Sequence, residues 1–232
     1  VTLQEIFDQL QTGELSQLAI GELDTLDRQK TVVNHINLGL TELHKRFWIK
    51  RKELLVQVQP GVTDYLLKCN FAKSNVFSNA PTKYIVDSEY AEFKDDLLKV
   101  EQVYNELGDQ LPLNDYSRHD SLYTPWYNVL RIPLTYPHQY VLAEYRANTE
   151  KIILKEEDND PCEIEVELPP HFLEPLVLFV GHRAFRSLNT DQKQESTDYK
   201  LLYEEACKRI EDLDYNLIPQ STNTRLDVNG WV

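Results

Sequence analysis

Six histidines are the first residues to question for chemistry: His35, His44, His119, His138, His171 and His182. None belongs to a His-x-x-x-His or His-Glu-x-x-His pair, the spacings that put two ligands on one helical face, so no metal site is predicted. His119, Asp120 and Ser121 set the three triad residue types side by side. A triad needs side chains that converge from separate parts of a fold, and adjacent residues do not supply that geometry. Glu156, Glu157, Asp158 and Asp160 gather carboxylates without the spacing or central glycine of a calcium loop, and read as a charged hairpin tip. The seven glycines form no phosphate-binding loop, and no Gly-x-Ser-x-Gly elbow is present. Cys69, Cys162 and Cys207 are far apart and odd in number, which predicts buried free thiols rather than a zinc or disulfide framework. With 38 acidic residues a glycosidase-like carboxylate pair can always be nominated, so composition gives that chemistry no support. The expectation is a chain with no catalytic residues, no metal and no cofactor.

The aromatic residues are more informative. Tyr116, Tyr123, Trp126, Tyr127, Tyr136, Tyr140 and Tyr145 fall in the middle of the chain. Buried, they fill a small β core; exposed, they stack on sugars or anchor a protein interface. Tyr116, Tyr123 and Trp126 lie in a stretch without period and are the ones expected at the surface. One basic run, Lys45, Arg46, Lys50, Arg51 and Lys52, interrupts an acidic chain. It suits either the C-terminus of a helix or an acidic partner. Near the end, Leu217, Ile218, Leu226, Val228 and Trp231 are scattered through a polar stretch. They either fold back on the chain or anchor a tail to a partner.

The elements that position these residues follow from period. Thr2 and Glu5 make a capping box for a helix reaching Thr12, and Leu15 to Ile20 suggests a further short turn. Val33, Ile36, Leu40, Leu43 and Phe47 recur at steps of three and four, one stripe of a helix running from about Asp24 to Trp48. At Leu54, Val56 and Val58 the period drops to two, and Pro60-Gly61 turns the strand back into Val62 to Leu67. Further strands are expected at Tyr84 to Val86, Val100 to Leu107, Gln110 to Leu113, Asn128 to Leu134, His138 to Ala147, Lys151 to Lys155 and Cys162 to Glu167. Asn114 to Trp126 is expected to be a loop. Pro170 opens a helix to Leu188 that is apolar almost all round. A last helix ends at Leu213, with the stripe Tyr199, Leu202, Tyr203, Ala206, Ile210 and Leu213. This predicts an α+β protein: a bundle of three to four helices formed by both ends of the chain, with a large antiparallel sandwich or barrel inserted. The expected divisions are residues 1–49 and 168–215 for the bundle, 50–167 for the β module and 216–232 for an extended tail.

The charge of −14, from 24 basic and 38 acidic residues, argues against a surface that grips nucleic acid, unless a local basic patch survives the average. No apolar run approaches the roughly 18 residues of a membrane span, and no basic-then-apolar leader opens the chain.

Certain strings carry a resemblance. Lys52-Glu-Leu-Leu-Val-Gln-Val58 is followed by Pro60-Gly-Val-Thr-Asp-Tyr-Leu66, later by Leu111-Pro-Leu-Asn-Asp115, then by Glu167-Leu-Pro-Pro-His-Phe172 opening a helix. In this order, over about residues 25–213, the chain resembles the head-to-tail adaptor proteins of short-tailed bacteriophages, the tail tubular protein A or head completion family. Its β insert is long for that family. The resemblance implies a structural virion protein, made in the host cytoplasm and built into the neck as a homo-oligomeric ring, usually of about twelve subunits. DNA would pass through the ring without sequence-specific binding. It implies portal binding by the tail residues Leu217, Ile218, Leu226, Val228 and Trp231. It implies contact with the tail nozzle or fibres through Tyr116, Tyr123 and Trp126, and subunit contact at Phe179, Ala184 and Phe185. The rival readings are a carbohydrate- or receptor-binding module that uses the exposed aromatics, and a cell-wall glycosidase.

Overall fold

The computed structural model describes residues 1–13, 15–16, 23, 25–88, 90–154, 161–186 and 193–213. The chain is α+β, with helices before and after two antiparallel sheets. It divides into two compact units, Val1–His35 with Glu157–Val232, and Ile36–Glu156. The expected turn over Leu15 to Ile20 and the acidic run from Glu156 lie largely or wholly outside the described residues.

In the first unit, α1 (Leu3–Thr12) starts on the expected capping box: the Thr2 hydroxyl accepts from the Glu5 N–H, and the Glu5 carboxylate accepts from the Thr2 N–H at 3.0 Å. Leu3, Ile6, Phe7 and Leu10 form its buried face. A 3-10 turn, Pro170–Phe172, leads into α3 (Leu173–Arg186), which packs against α1 and against α4 (Lys193–Asp212). Leu176, Val177, Val180, Ala184 and Phe185 are buried there. The Phe185 ring stacks on Tyr199 at 5.1 Å, and Phe179 meets Tyr203 edge-on at 5.5 Å. Much of the apolar circumference of α3 is therefore buried, with two of its rings packed on α4. Helix α4 corrects the expected stripe. Ser196, Tyr203, Ala206, Cys207 and Ile210 are buried, while Leu202 and Leu213 are exposed. Leu202 sits one position to the side of that face, where the 3.6-residue period turns it outward, and Leu213 lies just past the end of the helix.

The second unit begins within α2 (Leu26–Arg46). Ile36, Leu40, Leu43 and Phe47 are buried as the sequence period requires. Members of the basic run are engaged locally: Lys45 pairs with Glu42 at 3.7 Å, Arg51 lies 4.3 Å above the Trp48 ring, and Lys52 pairs with Asp96 at 2.6 Å.

Strands β1 (Arg51–Gln57), β3 (Ile85–Val86), β4 (Leu97–Tyr104), β5 (Gln110–Leu111) and β8 (Tyr140–Ala147) make one sheet in the order β3-β1-β8-β4-β5. Strands β2 (Asp64–Leu66), β6 (Tyr123–Trp126) and β7 (Val129–Arg131) make a second, ordered β2-β7-β6. Both turn an apolar face to a common core that includes Leu54, Val56, Tyr65, Leu130, Val141 and Tyr145. Gly61, at φ +78°, closes the turn after Pro60, and Gly108, at φ +85°, closes the β4–β5 hairpin.

Of the expected alternatives, sandwich or barrel, the described strands form two sheets and no closed barrel. Three strand expectations are corrected. Strand β6 lies in the stretch expected, for want of an apolar period, to be a loop; at the sheet edge a strand needs no buried alternating face and accommodates Pro125. Residues 151–154 form no strand. The Asn37 side chain satisfies both the N–H and the carbonyl of Ile152, each at 2.9 Å, so the backbone bonds a helix side chain instead of a neighbouring strand. Likewise Cys162 to Glu167 contributes only an isolated bridge, Thr2 to Glu165.

Candidate binding face

The three-stranded sheet has one buried and one open side. Tyr65 and Leu130 point into the core and are fully buried. The opposite side carries Asp64 paired with Arg131, and Leu66 paired with Val129. In β6, Tyr123 pairs with Arg131 and Trp126 with Val129, three residues opposing two. This bulge brings Tyr123 and Trp126 onto the same open face, which strict alternation would not do. Trp126 is 72% exposed and Tyr116 88% exposed, whereas Tyr123 is half-buried. The Tyr116 and Tyr123 rings lie 5.2 Å apart, tilted by 36°.

Polar contacts hold this face in shape. Arg131 grips Asp64 with two parallel bonds, of 2.6 and 3.0 Å, and this donor holds the Asp64 carboxyl below its usual range. The Tyr123 hydroxyl donates to the Asp115 carbonyl at 3.1 Å. Asp115 accepts from the Ser117 hydroxyl and N–H at 2.6 and 2.9 Å, which lowers its pKa. The outer edge of β6 is closed. Asn114, in the left-handed region at φ 58°, accepts from the Thr124 N–H at 2.9 Å and donates to the Thr124 hydroxyl at 2.8 Å. Pro125 has no N–H to offer. A ligand here meets side chains on the face and finds no strand edge to extend.

The other candidate chemistry is taken up by structure. Asp120 is held by Arg118 at 2.6 and 3.0 Å, and buried Ser121 accepts from the Asp115 N–H at 3.0 Å while its hydroxyl lies 3.1 Å from the Leu122 carbonyl. His119, Asp120 and Ser121 therefore form no relay. Among the described residues no three His, Cys, Asp or Glu side chains gather as a metal site. The thiols differ from expectation in burial: Cys207 is buried, Cys69 is half-buried and Cys162 is exposed, and none is in a disulfide. Burial and an Asp95 carboxylate 3.0 Å from Sγ act with the same sign on Cys69, the hydrogen bond to Asp95 most strongly, and push its thiol up and away from reactivity.

Of the residues singled out from sequence, the fold brings together Tyr116, Tyr123 and Trp126. Ala184 and Phe185 are buried within the first unit, and Phe179 is half-buried against Tyr203. Leu217, Ile218, Leu226, Val228 and Trp231 lie outside the described residues. Sequence reasoning missed the Asp64–Arg131 pair, because its members are 67 positions apart with no local signal. It also missed Asn114, whose place before a Pro-containing strand was the available clue.

The chain matches no protein-family model and no curated protein sequence.

Proposed function

We propose that this protein is a structural head-to-tail adaptor of a short-tailed bacteriophage virion. Copies of the chain form a ring between the portal and the tail nozzle or fibres, about a dozen to the ring, and DNA passes through it. On this reading the helical unit is a bundle built from both ends of the chain, and the β unit is a module inserted into it. The tail bearing Leu217, Ile218, Leu226, Val228 and Trp231 docks on the portal. The open face of Tyr116, Tyr123 and Trp126 meets the tail-side proteins. The observation that supports the reading most is the division of the chain into a unit of both ends and a middle unit with a rigid aromatic face. Trp, Tyr and Arg are the side chains that carry most binding energy at protein interfaces. The net charge of −14 also suits a channel that releases DNA. Truncation after Leu213 is expected to leave the rest folded and to abolish capture by portal rings; normal capture by the truncated chain contradicts the proposal.

A second reading rests on the same face. Two tyrosines, a tryptophan and an exposed Arg–Asp fork also suit neutral sugar rings, through stacking and hydroxyl hydrogen bonds. Affinity electrophoresis on host surface glycans separates the two. Retardation that Trp126→Ala removes, with no portal affinity, favours the sugar.

A further inference from the structure

Between Asp64 and Asp87 the chain carries Lys68, Lys73 and Lys83 and no acidic residue, a local reversal of sign in a chain of net charge −14. Within this stretch a loop presents Val76 and Phe77 to solvent, 77% and 93% exposed. It is not a loose excursion. Asp87 accepts from the Ser74 N–H and hydroxyl at 2.9 and 2.5 Å, the Ser78 hydroxyl donates to the Asn70 carbonyl at 2.5 Å, and the Lys83 ammonium to the Asn75 carbonyl at 2.5 Å. The three lysines face no carboxylate within ion-pair distance among the described residues; Lys73 donates to the Gln57 amide oxygen instead. An exposed apolar tip, tied down by hydrogen bonds and carried on a stretch whose lysines pair with no carboxylate among the described residues, is suited to an apolar face flanked by carboxylates.

Such a face lies on the same chain. Helix α4 leaves Leu201 and Leu202 exposed, at 59% and 47%. Asp198 and Glu205 are also exposed, and stand one turn before and one turn after both leucines on the same helical face. Neither leucine serves the core that α4 shares with α3.

We infer that the loop at Val76 and Phe77 of one copy docks on the Leu201–Leu202 face of α4 in a second copy, with Lys68 and Lys73 against Asp198 and Glu205. The two patches are unlike, so the contact is head-to-tail. Repeated from copy to copy, it generates a closed ring when the rotation closes. The inference rests on the adaptor reading for its setting and supplies that ring with its subunit contact. Duplex DNA offers phosphates without an apolar face, and an anionic membrane meets a chain that is acidic overall, so a second copy fits the charge and the apolar match together.

The test is sedimentation of the full chain over a range of concentration, with Phe77→Asp and Leu201→Asp as variants at exposed positions. The wild type is expected to self-associate reversibly, and each variant to do so at least about tenfold more weakly with unchanged circular dichroism. A one-to-one mixture of the two variants retains one intact loop and one intact α4 face, and is expected to stop at dimers. Lys73→Glu weakens association, and adding Asp198→Lys to it restores part of the loss. A wild-type chain that stays monomeric at the highest concentration, a Phe77→Asp variant that associates normally, or a mixture that yields no dimers overturns the inference. So does binding to phosphatidylserine vesicles or duplex DNA that Phe77→Asp removes while self-association is untouched. Portal rings loaded normally with Phe77→Asp would sink this contact and leave the adaptor reading standing. Self-association through these residues by a chain that ignores portal rings would do the reverse.

Discussion

His35 shows how one side chain links burial to solution behaviour. Its Nδ1 is buried without a hydrogen-bond partner, and burial, then the nearby Arg183 charge, lowers its pKa from 6.5. The folded state keeps the imidazole neutral, while the unfolded chain takes up the proton at the ordinary pKa. Stability contributed by neutral His35 is therefore complete above that value and declines as pH falls through 6.5 toward the lowered folded value. His35→Gln is expected to flatten the drop in urea midpoint between about pH 8 and about pH 5. Asp87 acts at lower pH. Burial pushes its carboxyl up, but donors from Ser74 and the Phe93 N–H outweigh that and hold it below the usual 3.8. Its contribution is present above that value and lost as pH falls through the lowered folded value. Asp87→Ala removes the anchor of both Ser74 and Phe93 and should cost about 1–3 kcal/mol by urea denaturation. Trp126→Ala, by contrast, removes a mostly exposed ring. It should change stability by less than about 0.5 kcal/mol while abolishing capture of the tail-side partner.

At the scale of elements, helices and strands were legible where period and capping agree. The stripe from Val33 to Phe47, the capping box at Thr2 and the hairpin at Gly108 each depend on residues close in sequence, and the structure contains all three. Two features of the β unit rest on side chains outside the local sequence window. Asn37 took the hydrogen bonds of Ile152, and Asn114 closed the edge of β6, neither of which a local pattern encodes. The aromatic face was legible as residue types, but its assembly depends on the bulge that aligns Tyr123 with Trp126. Asn114→Ala therefore has a specific expectation. It exposes the Thr124 N–H, costs about 1 kcal/mol and opens an edge prone to strand addition, which thioflavin binding on prolonged incubation would detect. Thr2→Ala should lower stability by about 1 kcal/mol through loss of the cap.

At the scale of the whole molecule, the chain joins a helical unit made from its two ends to a β unit made from its middle, with the boundary inside α2. On the proposed reading both units take part in the ring, the loop at Val76 and Phe77 from the β unit and α4 from the helical unit, while the aromatic face of the β unit is left for the next component. Several carboxylates serve caps, ion pairs and loops, and among the exposed groups are large aromatic and aliphatic side chains such as Phe77, Tyr116 and Trp126, which are materials of docking. The measurement that bears most directly on the adaptor account is the mass, by light scattering, of the purified chain alone and after mixing with portal rings of the particle that carries it. The account predicts a complex in which each portal ring has gained about a dozen copies. A chain whose mass is unchanged by the portal contradicts it.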